Sequence, residues 1–260
     1  MEQLISHPVA FLIVSFAAMT FAGWVGFAVL RRKNPLDEHL RDDFGVVQSA
    51  TLTLLALVIG FSLSMAVSRY DQRKNCEEEE ANAIGTEYLR ADLLPVADAA
   101  IVRRLLPKYL EQRIRFYQER DPQQQALIDA ATTKLENDLW AGVRTSAAAQ
   151  PNPVTALAVA GMNDVINTQG YTQAAWWNRI PEAAWSLMIL LGVFCNLLVG
   201  YGSRSPTLKM RFLFILPATI SVSFMLIADI DSPRNGTIRV VPKNLMSVAR
   251  SMETQAQGNP

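Results

Sequence analysis

Charge is scarce in this chain. Of its 260 residues only 18% are Asp, Glu, Lys or Arg, and 24 acids balance 24 bases. Zero net charge argues against a nucleic-acid partner, which needs a net basic surface to displace counterions. Histidine is scarcer still. His7 and His39 are the only two, too few for histidine-based catalysis or metal binding. The two cysteines, Cys76 and Cys195, lie far apart in unrelated contexts, which gives neither a disulfide framework nor a zinc site. Motifs that carry chemistry are missing as well: there is no GxSxG elbow, Walker-type glycine loop, HExxH or CxxC. No enzyme activity, catalytic residue, metal or cofactor is expected.

The deficit of charge is uneven, and its distribution decides the class. Four apolar stretches free of Asp, Glu, Lys and Arg stand out, Val9–Leu30 (22 residues), Phe44–Ser68 (25), Ala183–Ser203 (21) and Phe212–Ala228 (17), whereas the uncharged run 145–163 is broken by Pro151 and Pro153. As helices they would span roughly 25–38 Å, against a hydrocarbon core about 30 Å thick. One such stretch could be a buried helix of a soluble protein; four, each bounded by charges, predict an integral membrane protein. The first stretch is no cleaved leader, because Met1–His7 holds no Lys or Arg and the positive charges Arg31-Arg32-Lys33 follow the apolar run. An even number of spans puts both termini and the segment Arg69–Glu182 on one side. The Lys and Arg near the membrane do not orient it. Seven lie in the loops Arg31–Asp43 and Arg204–Arg211, and seven flank the helices on the other side.

The 69–182 segment reads as helical throughout, with no period-2 alternation. Helix 2 has no stop signal at Arg69 and continues in helix-favouring residues to about Leu94, before Pro95. A second helix is predicted from an N-cap at Asp98, with a kink at Pro107, and a third from Asp121-Pro122. A fourth should run from about Val154 to Asn167 and end near Gly170. Residues 229–260 are read as a C-terminal tail. Trp176, Trp177 and Trp185 suit an aromatic belt where the chain re-enters the bilayer.

Three groups of residues are candidates for function. The run Glu77–Glu80 points in all directions around a helix, which suits a solvated surface or a cation-attracting ring in an oligomer rather than a calcium loop. Asp229 and Asp231, at the end of helix 4, read as the water boundary, as a pore cap, or as partners of Arg234; Arg69 and Arg73 mark the boundary on helix 2. Helix 2 itself is unusually polar. Ser49, Thr53, Ala56, Gly60 and Ser64 recur at steps of four, three, four and four and form one small-residue stripe. Such a stripe permits close helix packing, or lines a wetted conduit.

The segments Thr53–Phe61 and Ser68–Arg73 resemble the second transmembrane helix of bestrophins, in which an apolar run with Gly-Phe precedes an Arg-aromatic pair. The order of parts is similar too, including Ile180-Pro181 before helix 3. Glu79–Thr86 and Asp229–Arg234 resemble the bacterial bestrophin-like family of unknown function, over about Phe44 to Val241. The resemblance implies a homopentameric ion channel in the bacterial inner membrane, with termini and the 69–182 domain in the cytosol. The absence of a disulfide pair in that domain agrees. Thr53, Leu57 and Phe61 would line the pore neck, conducting inorganic ions. Two departures stand out: Thr53 replaces a large apolar residue, and the acidic cluster after helix 4 shrinks to Asp229 and Asp231, so calcium gating is not carried over. The reading is therefore an all-α integral membrane protein, with four transmembrane helices (9–30, 44–68, 183–203, 212–228) and a helical extramembrane domain inserted between helices 2 and 3. Its partners are the bilayer, ions and itself. The alternative is a membrane-anchored scaffold or sensor that does not conduct.

Overall fold

The computed structural model describes residues 5, 7–33, 35–203 and 214–258. The loop Arg204–Arg211, the first two residues of the fourth apolar run, and most of the N-terminal flank lie outside the described residues. Among those described there is no strand. The chain divides into two units, one of residues 1–69 and 179–238, the other of 70–178 and 239–260. Among the described residues, three helical stretches are long and apolar enough to cross a membrane: Pro8–Lys33, Glu38–Leu93 and Pro153–Gly202. In the last of these the apolar run is the part after Pro181. The chain is a membrane protein.

In the first unit, α1 (Pro8–Val25) passes through a π-helical turn at Gly26–Leu30 and packs between α6 (Glu182–Gly202) and α7 (Ile215–Asp231). Small residues set how close α1 and α6 come. A Cβ on Gly200 would drive into the Gly23 carbonyl oxygen, and one on Gly26 into that of Leu197. Backbone-to-backbone approach of this kind is how helices associate where water supplies no hydrophobic drive. Further along, Phe11 stacks edge-on against Trp185 at 5.4 Å and lies 6.2 Å from Phe224. Trp185 is thereby 1% exposed, a core residue and not the belt anchor that its position suggests. Trp176 is corrected likewise: it is buried against Phe116 and Tyr117 at 4.9 and 5.5 Å, and only Trp177 is open, at 73%.

α2 (Arg41–Arg90) is one helix of 50 residues, followed by a 3-10 turn at Ala91–Leu93. Asp42 and Asp43 complement the positive end of its dipole, and no proline or positive-φ residue interrupts it. Ala81 in its second half is 1% exposed. Ala81→Pro should remove a backbone hydrogen bond and cost about 3 kcal/mol or more. An unchanged thermal midpoint and intact assembly in that variant would rule out a continuous helix.

The second unit packs α3 (Val96–Gln118) on α4 (Pro122–Ala149), α4 on α5 (Pro153–Trp177), and α8 (Lys243–Gly258) on α3. Local chemistry starts two of these helices. Asp121 accepts from the Gln123 amide at 2.9 Å with Pro122 in the first turn, and Asn152 with Thr155 forms a reciprocal capping box. Asp98 is not the cap expected of it. α3 begins two residues earlier, after Pro95, and the Asp98 carboxylate instead accepts from the Ser146 hydroxyl of α4 at 2.6 Å. α5 runs well past Gly170, and the supposed tail contains α8, whose Leu245 and Met252 face the core.

Candidate functional site

α2 keeps one face covered and the opposite face open. Leu55, Ser62 and Ala66 are buried, at 2%, 3% and 0% exposure, whereas Leu57 and Phe61 are 52% and 64% exposed. Thr53 and the stripe residues Ser49, Ala56, Gly60 and Ser64 are exposed with them. A Cβ added to Gly60 would meet nothing within 4 Å. The stripe therefore does not pack against the described residues of this chain, and a lipid, a conduit or a second copy is left to cover it. Thr53 is less polar than its formula implies, because its hydroxyl donates to the Ser49 carbonyl at 2.9 Å, as that of Thr51 does to Val47 at 2.8 Å. The methyl group is left to face outward.

Beyond the apolar part, the covered face of α2 is charged, which sequence reasoning missed. Arg73 is 1% exposed and Arg69 half-buried. The run Glu77–Glu80 is not a uniformly solvated surface: Glu77 and Glu80 are buried, at 1% and 0%, and only Glu78 and Glu79 are exposed. Glu77 accepts from the Asn244 and Leu245 amides at 2.9 and 3.0 Å and from Asn244 Nδ2 at 2.7 Å. It thus caps the start of α8 with a negative charge, as the dipole favours. Glu80 pairs with the buried guanidinium of Arg113 and accepts from Tyr117 Oη at 3.2 Å and Thr172 Oγ1 at 3.1 Å. Arg113 lies over the Phe116 ring at 4.5 Å. The Tyr117 phenol is pushed up by burial and then by the Glu80 charge, so it keeps the proton it donates.

Glu87 is a different case. It is 0% exposed, and neither carboxylate oxygen has a hydrogen-bond partner. Its neighbour Gly161 has no room for a side chain, since a Cβ there would strike Glu87 Oε2 and Arg90 Nη1. Burial, more than any charge, pushes this carboxyl up to about 8; Arg90 pulls it down and Asp164 pushes it up. Its folded-state value lies above the ordinary one of 4.5. The stability it supports is complete below that ordinary value and is lost as pH rises through about 8. Glu87→Gln should flatten the fall in thermal stability between about pH 4.5 and 8 and gain roughly 1–3 kcal/mol at the alkaline end. An identical pH profile in the variant would remove Glu87 from the account. The Cys76 thiol is raised too, by burial and then by Glu79 and Glu80, and both cysteines are free.

At the end of α7 the two aspartates hold backbone. Asp229 accepts from Thr237 N, Thr237 Oγ1 and Ile238 N at 2.7–2.9 Å, and Gly236 lies so close that a Cβ would strike the Asp229 carbonyl. Asp231 accepts from Ile180 N at 3.1 and 3.2 Å. The pair thus fixes the turn after α7 and the Ile180-Pro181 entry into α6, with Arg234 half-buried beside them. Their burial, at 6% and 2%, corrects the picture of two carboxylates simply marking a water boundary. No group of three or more His, Cys, Asp or Glu among the described residues is placed to hold a metal.

Comparison with known proteins agrees on one family. The Bestrophin-like domain matches residues 11–245. A bacterial bestrophin homologue from Klebsiella pneumoniae superposes with a TM-score of 0.63 at 14% identity, covering 97% of this chain and 99% of that one. Two point-substituted forms of the same homologue give 0.66 and 0.70 at 13% and 12% identity, covering 94% and 95% of this chain and 98% and 99% of theirs. No curated protein matches by sequence.

Proposed function

Since the chain belongs to the Bestrophin-like family, we propose that it forms an ion channel of the bacterial inner membrane, a homopentamer with the open face of α2 at its axis. One observation carries the reading. The face of α2 opposite Leu55, Ser62 and Ala66 is exposed, and it mixes Leu57 and Phe61 with Ser49, Thr53, Gly60 and Ser64. Gly, Ala, Ser and Thr are enriched where transmembrane helices meet rather than where they face lipid tails. An axis shared by several copies suits the mixture better, because small residues let helices approach and apolar rings narrow the space between them. Thr53, Leu57 and Phe61 would then stack as successive rings. The bilayer, inorganic ions and other copies of the chain are the partners of this reading, which involves no catalysis. Both termini and the 69–182 domain belong in the cytosol. Cys76 is buried, so a cysteine at exposed Gln124 is the better probe of sidedness.

Purified protein of known subunit number, reconstituted in planar bilayers, is the test. Discrete currents from an oligomer are expected. Silence from a confirmed oligomer across several salts would sink the channel and leave the non-conducting scaffold.

A further inference from the structure

We propose that Glu79 sets the charge preference of the conduit, its copies forming an acidic ring beyond the apolar neck that favours cations over anions; this rests on the channel reading above. The inference begins with the register of α2. At ~100° per residue, Thr53, Leu57 and Phe61 fall within about 100° of arc. The same arc is occupied further along the helix by Ser68, Asp71, Gln72, Asn75, Glu79, Asn82 and Thr86, every one of them exposed. On the opposite arc Leu55, Ser62, Ala66, Arg73, Glu77, Glu80 and Ile84 are all buried. One uninterrupted helix thus carries a single open face that changes from apolar to polar at Ser64. If the first part of that face lines a path, so does the second.

Only one of the four consecutive glutamates can act there. Glu77 and Glu80 are buried and hydrogen-bonded, and Glu78 points about 100° away from Glu79 around the helix. Glu79 stands where two polar clefts between α2 and α5 meet. One, of about 480 Å³, includes Asn82, Thr86, Arg90, Asp164 and Asn167; the other, of about 400 Å³, includes Gln72, Asn75 and Asn178; Glu79 and Tyr171 border both. The remaining charges in these clefts offset each other, since Arg90 lies 4.0 Å from Asp164. The uncompensated charge in these clefts is therefore that of Glu79, and Asp71, about two turns nearer the neck on the same arc, adds a second acid of the same sign. A ring of carboxylates in a water-filled passage raises the local concentration of cations and lowers that of anions, over about a Debye length, ~8 Å at physiological salt.

The test is the reversal potential of the reconstituted full-length protein under a tenfold potassium chloride gradient. Wild type should be cation-preferring. Glu79→Gln should lower the cation-to-anion permeability ratio, on the order of tenfold at low salt, and Glu79→Lys should carry the preference toward anions. Asn82→Asp, one turn further along the same arc, should raise it. Glu78→Gln should leave it unchanged. The Glu79 effect should shrink at ~1 M salt, where the Debye length falls to ~3 Å. A conducting wild type with the same reversal potential in Glu79→Gln and Asn82→Asp overturns this inference and leaves the channel standing, as does an equal shift in Glu78→Gln. A silent wild type of confirmed subunit number overturns both.

Discussion

Arg113→Met should destabilise the chain by about 3–5 kcal/mol, because it strands a buried carboxylate. Arg113 and Glu80 are both 0% exposed, and Glu80 would keep only the Tyr117 and Thr172 hydroxyls as donors. Those two neutral donors cannot replace a guanidinium, since hydrogen bonds between ions are roughly twice as strong as neutral ones. The variant also loses the cation stacked on Phe116. Methionine keeps most of the volume, so the loss reports charge rather than a cavity. Glu80→Met alone should be comparably harmful, as it leaves the guanidinium buried without its anion. The double variant should recover most of the loss, because two apolar side chains need no partner in an apolar site. Denaturant midpoints of the four species form a cycle that isolates the coupling. A single substitution costing less than about 1 kcal/mol, typical of surface pairs, would show that the pair is wetted and that its burial is overstated.

Phe61→Ala should raise the single-channel conductance of an intact oligomer by several-fold. Phe61 is 64% exposed on the open face and Leu57 is 52% exposed one turn before it. Rings of such side chains pass ions only while the space between them is wetted, and trimming them to methyl groups favours the wetted state. Leu57→Ser should act in the same direction, adding hydroxyls that hold water. Substitution at Ser62, 3% exposed on the covered face, should instead reduce the yield of folded protein without changing the current of each channel. If Leu57 and Phe61 merely cement helix contacts, their variants will yield less oligomer and no larger current.

The sequence was legible wherever a structure is decided by neighbours in the chain. Asp121-Pro122 and the Asn152–Thr155 box carry their own capping groups, so the starts of α4 and α5 could be read directly. The uninterrupted run through Arg69 foretold a helix that does not stop where its apolar residues do. Gly170 misled because a glycine in a helix costs only about 1 kcal/mol, and its φ is not positive, so it does not form the left-handed cap that ends a helix. Burial of Glu77 and Glu80 was out of reach for another reason. Their partners are 33 to 168 residues away, and four glutamates in a row look equivalent until distant segments choose among them. α8 was legible and was passed over: Leu245, Val248, Ala249 and Met252 recur at helical steps, and all four pack on the core. The small-residue stripe of α2 was visible as a pattern, and the structure adds that none of the described residues covers it.

The cap that Glu77 places on α8 also orders events in time. Its donors, Asn244 and Leu245, come 167 and 168 residues later in the chain. A ribosome adding ~5–20 residues per second needs about 10–30 s to cover that distance. Throughout that interval the outer half of α2 has left the ribosome with an acid on its inner face and no amide to meet it. A carboxylate in that position stays hydrated, which opposes closure of the helical unit around it. Closure of the helical unit over Glu77 therefore waits for the last helix: until Asn244 and Leu245 are made, its carboxylate lacks those donors and favours water over burial.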